Sequence, residues 1–231
     1  MHFEISLLET EAALLARCRR IEGLSFAQLA SALGFPIPHT ALKRKGWAGR
    51  AIELVLGATA GNQAIPDFSD LGVELKTVPM SHLGTPAEST FVTQISLLTL
   101  GEQQWETSSC YVKLQRVLWV PIEGDPTIDF RERRVGHAVL WSPSRVEASI
   151  LKRDWTEFAL MISTGQLSEI DAKMGEYLQV RPKAAHGRSL CYGIDEVGNS
   201  VLTLPRGFYL RSRFTKAILN SMKESGSIFS Q

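Results

Sequence analysis

Residues 66–78 read Pro66-Asp67-Phe68-Ser69-Asp70-Leu71-Gly72-Val73-Glu74-Leu75-Lys76-Thr77-Val78. From Leu71 to Val78 the residues alternate, with Leu71, Val73, Leu75 and Thr77 on one side and Gly72, Glu74, Lys76 and Val78 on the other. That period of two predicts a β-strand over 71–78. A carboxylate and an ammonium therefore emerge side by side from a rigid element, and Asp67, just before the strand, can bring a second carboxylate to the same place. Two hard oxygen ligands with a cation beside them suit Mg²⁺ chemistry on a phosphate. The spacing D-x6-E-x-K also arises by chance, and outward charges are found on any half-exposed strand, so other segments must decide.

The chain has 231 residues, 44% hydrophobic and 21% charged, which is ordinary for a globular protein with a sizeable core. It shows no apolar run of membrane-spanning length and no signal-like start at Met1-His2-Phe3-Glu4, so a cytoplasmic protein with no membrane partner is expected. Cys18, Cys110 and Cys191 are scattered without C-x-x-C spacing, against a disulfide framework or a zinc knuckle. Net charge is only +1, but it is unevenly spread. Residues 42–50 carry Lys43, Arg44, Lys45 and Arg50 with no acid, and residues 181–223 are rich in Lys and Arg. Two separated basic segments on a neutral chain point to a localised anionic partner, DNA or RNA first.

Along the chain, helices are expected over Glu9–Ile21, from Ser25 through Leu33, and over Ala48–Leu56 with Gly57 at the C-terminal end. Strands follow at 71–78, 89–98 and 115–122. A long helix is expected over Glu147–Thr164, a short one over Gln166–Lys173, and strands over Tyr177–Arg181 and Gly207–Arg211. Residues 184–200 are expected to be loop, and a last helix should run from Phe214 to about Ser225. Helices around strands in mixed order predict an α/β fold with a small mixed sheet. Two lobes sharing a cleft are expected, rather than two independent domains.

Glu53 lies in the apolar run Ala51-Ile52-Glu53-Leu54-Val55-Leu56, where an unpaired carboxylate is costly to bury. It either faces solvent or joins Asp67 and Glu74 as a third acid. Lys113, ahead of the strong strand Leu114–Ile122, is either a solvated strand-edge lysine or a second cation for the scissile phosphate.

Several ordered segments carry a resemblance. They are Trp47-Ala-Gly-Arg-Ala-Ile-Glu53, Gly57-Ala-Thr-Ala-Gly61, Asp67 through Thr77, Trp105-Glu-Thr107, Lys113-Leu-Gln-Arg-Val-Leu-Trp119, Glu176-Tyr-Leu-Gln-Val-Arg181-Pro-Lys-Ala-Ala185 and Leu204-Pro-Arg-Gly-Phe-Tyr209-Leu210. Together, from about Glu9 to about Leu219, they resemble the MutH family of DNA mismatch repair endonucleases. The resemblance implies a type II restriction endonuclease-like fold in a monomer whose arms close on duplex DNA. The catalytic arm would occupy approximately 1–110 and the DNA-reading arm 111–231. It implies Mg²⁺-dependent nicking of the unmethylated strand at hemimethylated GATC, 5′ to the G, activated by MutL with MutS upstream. Glu53, Asp67 and Glu74, with the backbone carbonyl of Leu75, match the metal ligands, and two ions would activate the water and stabilise the leaving oxygen. Lys76 matches the lysine that positions or activates that water, and Lys113 the additional active-site lysine. Arg181 and Tyr209 match sequence-reading residues, with Lys183 close by, and Lys45 and Phe91 fall at positions resembling DNA contacts. Arg suits a bidentate contact to guanine, and an aromatic ring beside the adenine could sense an N6-methyl group.

The chain departs from the family pattern in four places. Leu42-Lys43-Arg44-Lys45-Gly46-Trp47 lacks an acid after the Arg, as if the loop were one residue shorter. Ser109-Cys110-Tyr111-Val112 replaces a more basic stretch that contains His, and His186–Ser200 diverges. The tail after Ser221, in the C-terminal region that would couple MutL binding to arm closure, has no clear counterpart. Two other readings compete: a stand-alone GATC restriction-type endonuclease, and a DNA-binding protein with a dead nuclease site. The first needs two catalytic centres for a double-strand break and the chain offers one. The second should have lost part of the Glu53, Asp67, Glu74, Lys76 and Lys113 set.

Overall fold

The structure is a computed structural model that describes residues 9–61, 63–183 and 189–221. In chain order it comprises α1 (Glu11–Ile21), α2 (Phe26–Leu33), α3 (Ala41–Arg44), α4 (Trp47–Leu56), β1 (Glu74–Met80) and β2 (Thr90–Gln94). Next come α5 (Ser109–Leu114), β3 (Val117–Glu123), β4 (Val139–Trp141), α6 (Arg145–Ser163), β5 (Leu178–Pro182), β6 (Cys191–Ile194), β7 (Ser200–Thr203), β8 (Arg206–Leu210) and α7 (Ser212–Ser221). Local chemistry sets many boundaries. Thr10 caps α1, and Ser25–Gln28 and Ser144–Glu147 form capping boxes on α2 and α6, each satisfying backbone N–H groups a helix start leaves orphaned. Gly57, at φ 80°, ends α4, a left-handed conformation glycine adopts without strain.

The described residues of Met1–Glu88, Arg116–Ser142 and Lys216–Gln231 form one compact unit, and Ser89–Gln115 with Pro143–Thr215 form a second. The units interleave along the chain, whereas the resemblance divides it near residue 110. The physical cause is β3, which pairs in parallel with β1 across the intervening segment.

In the first unit the sheet order is β1-β3-β4, with β1 parallel and β4 antiparallel to β3. This is the small mixed sheet the sequence predicts. Its core joins Leu14, Ile21, Phe26, Leu29, Ile52, Val55 and Leu56 to Val73, Leu118 and Val120. Along α4 the buried residues Trp47, Ala48, Ala51, Ile52, Val55 and Leu56 recur at helical spacing, which leaves Gly49, Arg50 and Glu53 off the core stripe. In the second unit an antiparallel sheet has the order β2-β8-β5, with a separate β6-β7 hairpin. α5 packs on β2 and α6 on β5.

Several expectations need correction. The strand expected from residue 71 starts at Glu74, because Ser69–Leu71 forms a 3-10 turn closed by Gly72 at φ 64°. It then runs through Pro79, which an outer strand tolerates. The strand expected over 89–98 stops at Gln94, and Gln166–Lys173 holds only the 3-10 turn Leu167–Glu169. Within 184–200 the described residues include β6 and the start of β7. Residues 222–225 of the last expected helix, His186 and the tail after Ser221 lie outside the described residues. Among the described residues no helix is long and apolar enough to cross a membrane.

Candidate active site

The spacing between Asp67 and Glu74 has a structural cause. Phe68 and Val73 exchange backbone hydrogen bonds (2.9 and 3.2 Å) around the turn at Ser69–Gly72, so the chain doubles back and sets Asp67 beside the start of β1. There the Leu75 N–H donates to Asp67 Oδ2 at 2.8 Å. Glu74 N–H instead donates to the Arg116 carbonyl at 2.9 Å, on the β3 side. In a parallel ladder, alternate residues point both backbone groups to opposite edges. The Leu75 carbonyl therefore faces the same outer edge of β1 as the Asp67 carboxylate.

Glu74 is only 1% exposed, more buried than a half-exposed strand predicts. Its charge is met by Lys76, whose Nζ donates to Glu74 Oε1 at 2.6 Å. The period of two thus delivers the adjacent acid and lysine that the sequence suggests. Glu53 joins them electrostatically from α4. That helix approaches β1 at Gly49, where a Cβ would sit in ordinary contact 3.4 Å from Thr77 Oγ1, and Glu53 lies one turn further on. Burial, and next the charge of Asp67, raises the Glu53 carboxyl above its ordinary value, with Glu74 adding to the effect and Arg50 and Lys76 opposing it. Arg50, part of the basic stretch 42–50, bears on Glu53 from one turn earlier on α4.

The donor chemistry suits a hard divalent cation: three carboxylates and a carbonyl, all oxygen, with mutual repulsion that a cation would relieve. Among the described residues, no three His, Cys, Asp or Glu side chains converge as a metal-binding cluster. In this arrangement Glu74 is engaged by Lys76 and Asp67 by the Leu75 N–H.

Lys113 does not sit at a strand edge, one of the two readings its sequence leaves open. It occupies the last turn of α5, a six-residue helix capped by the Ser108 hydroxyl, and belongs to the second unit. Lys45 is exposed at the C-cap of α3, in the first unit.

The second unit gathers the remaining candidates on one face of its sheet. Phe91 lies opposite Tyr209 in the β2–β8 register, and Arg181 opposite Gly207 in β5–β8. The Phe91 and Tyr209 rings meet edge to face at 5.3 Å, the Arg181 guanidinium lies 5.8 Å from the Tyr209 ring, and Lys183 Nζ lies 4.1 Å from the Phe91 ring. Tyr209 is therefore not core: Phe208 and Leu210, on the opposite side of β8, are. Two contributors escaped sequence reasoning. Ser89 Oγ accepts a 2.5 Å bond from Arg181 Nη1, fixing the guanidinium. A Cβ at Gly207 would fall 2.8 Å from the Phe91 ring and 3.3 Å from the Tyr209 ring, so the bare backbone makes room for both aromatics. Not every basic residue of 181–223 faces outward, since Arg211 donates to the carbonyls of Gly175, Ala172 and Met174.

Residues 56–154 match the family model described as DNA mismatch repair enzyme MutH. The chain is 46% identical over 211 residues to the DNA mismatch repair protein MutH of Escherichia coli (strain K12), covering 91% of this chain and 92% of that protein. It is 49% identical over 210 residues to the protein of the same name from Salmonella newport (strain SL254), covering 91% of each. On similarity of that degree and extent, the chain belongs to the MutH family of DNA mismatch repair enzymes.

Proposed function

We propose that this MutH-family endodeoxyribonuclease nicks the unmethylated strand of duplex DNA at hemimethylated GATC sites, 5′ to the G. It acts with Mg²⁺ in the cytoplasm, as a monomer that MutL activates downstream of MutS. The observation that carries the chemistry is the Glu74–Lys76 pair on the outer strand β1, with Asp67 folded back beside it. Glu53, Asp67, Glu74 and the Leu75 carbonyl would hold the metal, two ions per site. Bound there, Mg²⁺ supplies Lewis-acid polarisation of the phosphodiester and lowers the cost of the leaving oxygen's charge.

The chain's own groups do the rest. Lys76, held beside Glu74, orients the attacking water and favours its ionised form through its charge. Lys113 stabilises charge on the phosphate. Arg181, steadied by Ser89 and lying near the Tyr209 ring, presents donors matched to the O6 and N7 acceptors of guanine. Tyr209, positioned against Phe91, meets the adenine edge, where an N6-methyl group would clash. Lys183, Phe91 and Lys45 add contacts to the duplex. Family membership supports the repair role, and the oxygen-rich edge of β1 supports the hydrolytic chemistry.

Glu74→Ala tests the assignment. Nicking should fall by at least a thousandfold, on the order of losing about 4 kcal/mol of transition-state stabilisation, while duplex binding in EDTA persists. Retained cleavage would remove Glu74 from the metal site.

A further inference from the structure

A concentration of positive charge lies within the first unit, at residues outside β1. A cavity of about 430 Å³ opens between the Arg44–Lys45 corner of α3 and the segment 126–133, with Phe130 and Arg133 in its lining. The two arginines lie over one aromatic ring: the Arg44 guanidinium is 5.4 Å and the Arg133 guanidinium 5.6 Å from the Phe130 centroid. Phe130 is in turn seated against Phe26 (5.1 Å) and Trp47 (5.9 Å).

The surroundings are rigid. Phe26 N–H donates to the Arg133 carbonyl (2.8 Å) and Ala27 N–H to the Arg131 carbonyl (2.9 Å). Arg44 Nε donates to the Pro38 carbonyl at 2.9 Å and Nη2 to the His39 carbonyl at 3.3 Å, and Arg133 Nε donates to the Ile128 carbonyl at 3.2 Å. Each guanidinium is thus aimed while keeping further N–H donors for a ligand. Among the described residues neither arginine, nor Lys45, forms an ion pair with a carboxylate. Three cations line the cavity against one acid, Asp129, whose Oδ1 accepts the Arg131 N–H at 2.9 Å. Like charges held over one ring repel, so the arrangement is completed by an anion, and a planar fork of N–H donors fits phosphate.

We propose that this cavity is a backbone-phosphate subsite for the DNA duplex, in which Arg44, Lys45 and Arg133 hold a phosphodiester that is not cut. The inference rests on the DNA-nicking function proposed above and extends it to a contact outside the reacting centre. The sequence marks Arg44 and Lys45 within the basic stretch 42–50 but not Arg133, which comes from a segment some ninety residues later and meets Arg44 only in the fold.

The test is anisotropy of fluorescent duplexes with and without GATC, in EDTA, across a salt series. Arg133→Gln and Arg44→Gln should each weaken both duplexes equally and flatten the slope of log K against log salt by about 0.9. Asp129→Asn keeps an acceptor for the Arg131 N–H and removes the opposing charge, so it should tighten both duplexes. Wild-type slopes and affinities in folded variants would overturn the subsite while wild-type nicking leaves the enzyme function standing. If the arginine variants fail to fold, Asp129→Asn decides, and unchanged or weaker binding overturns the proposal. A wild-type protein that binds no duplex would overturn subsite and function together.

Discussion

Glu53 and Tyr209 show what single residues do here. Glu53 has its carboxyl held above the ordinary range by burial and by Asp67, whereas in the unfolded chain it titrates normally, near about 4.3. Between those two values the folded protein binds more protons than the unfolded one, so stability falls as pH rises. Metal-free Glu53→Gln should therefore melt higher than wild type at neutral pH, with the difference closing as pH drops through the normal carboxylate range. Thermal melts in EDTA at several pH values check this, and an unchanged or lower melting temperature at pH 7 would show that Glu53 is not crowded by its fellow acids. Tyr209 is read out by discrimination. One methyl group in a close contact is worth about 1–3 kcal/mol, so Tyr209→Ser should narrow the ratio of hemimethylated to fully methylated cleavage by about tenfold or more. An unaltered ratio would return the tyrosine to a purely structural role.

At the scale of elements, β5 delivers Arg181, and its start is fixed by a buried acid. Asp154, on α6 and 0% exposed, accepts the N–H groups of Glu176, Tyr177 and Leu178 at 2.8, 2.6 and 3.0 Å. Asp154→Ala would strand those donors and cost about 3 kcal/mol or more, visible as an earlier urea midpoint. It should also weaken GATC-specific binding more than binding to other duplexes, and a wild-type midpoint would contradict the anchoring role. Legibility follows the strength of local signals. α4 and α6 announce themselves through long amphipathic stripes and caps, and the Glu74–Lys76 pairing follows from the strand period alone. α5 and β4 are too short to impose a period, so the helical setting of Lys113 is not legible in the sequence. The contacts of Arg181 with Ser89 and of Phe91 with Tyr209 join residues about ninety or more positions apart. No spacing rule could show them, and only the family resemblance brought Phe91, Arg181 and Tyr209 to notice. Ser89 and Gly207 act through position, one as an acceptor and the other as an absent side chain, and neither carries a signature in a single sequence.

Over the whole molecule, a parallel pairing of β1 with β3 draws residues 116–142 into the first unit with the Glu74–Lys76 pair, while Phe91, Arg181 and Tyr209 share a face of the sheet in the second unit. The first unit carries Lys45, Glu53, Asp67, Glu74 and Lys76, and the second carries Phe91, Lys113, Arg181, Lys183 and Tyr209. Each unit thus carries candidates of both kinds, with Lys113 in the second unit and Lys45 in the first. In the proposed function the two units serve one strand-selective cut. Its most direct test is a strand-resolved nicking assay on a plasmid with a single hemimethylated GATC site, with and without Mg²⁺ and MutL. Mg²⁺-dependent nicks confined to the unmethylated strand and increased by MutL are expected. Cleavage of both strands regardless of methylation and MutL, or no cleavage by folded, DNA-bound protein, would contradict the proposed function.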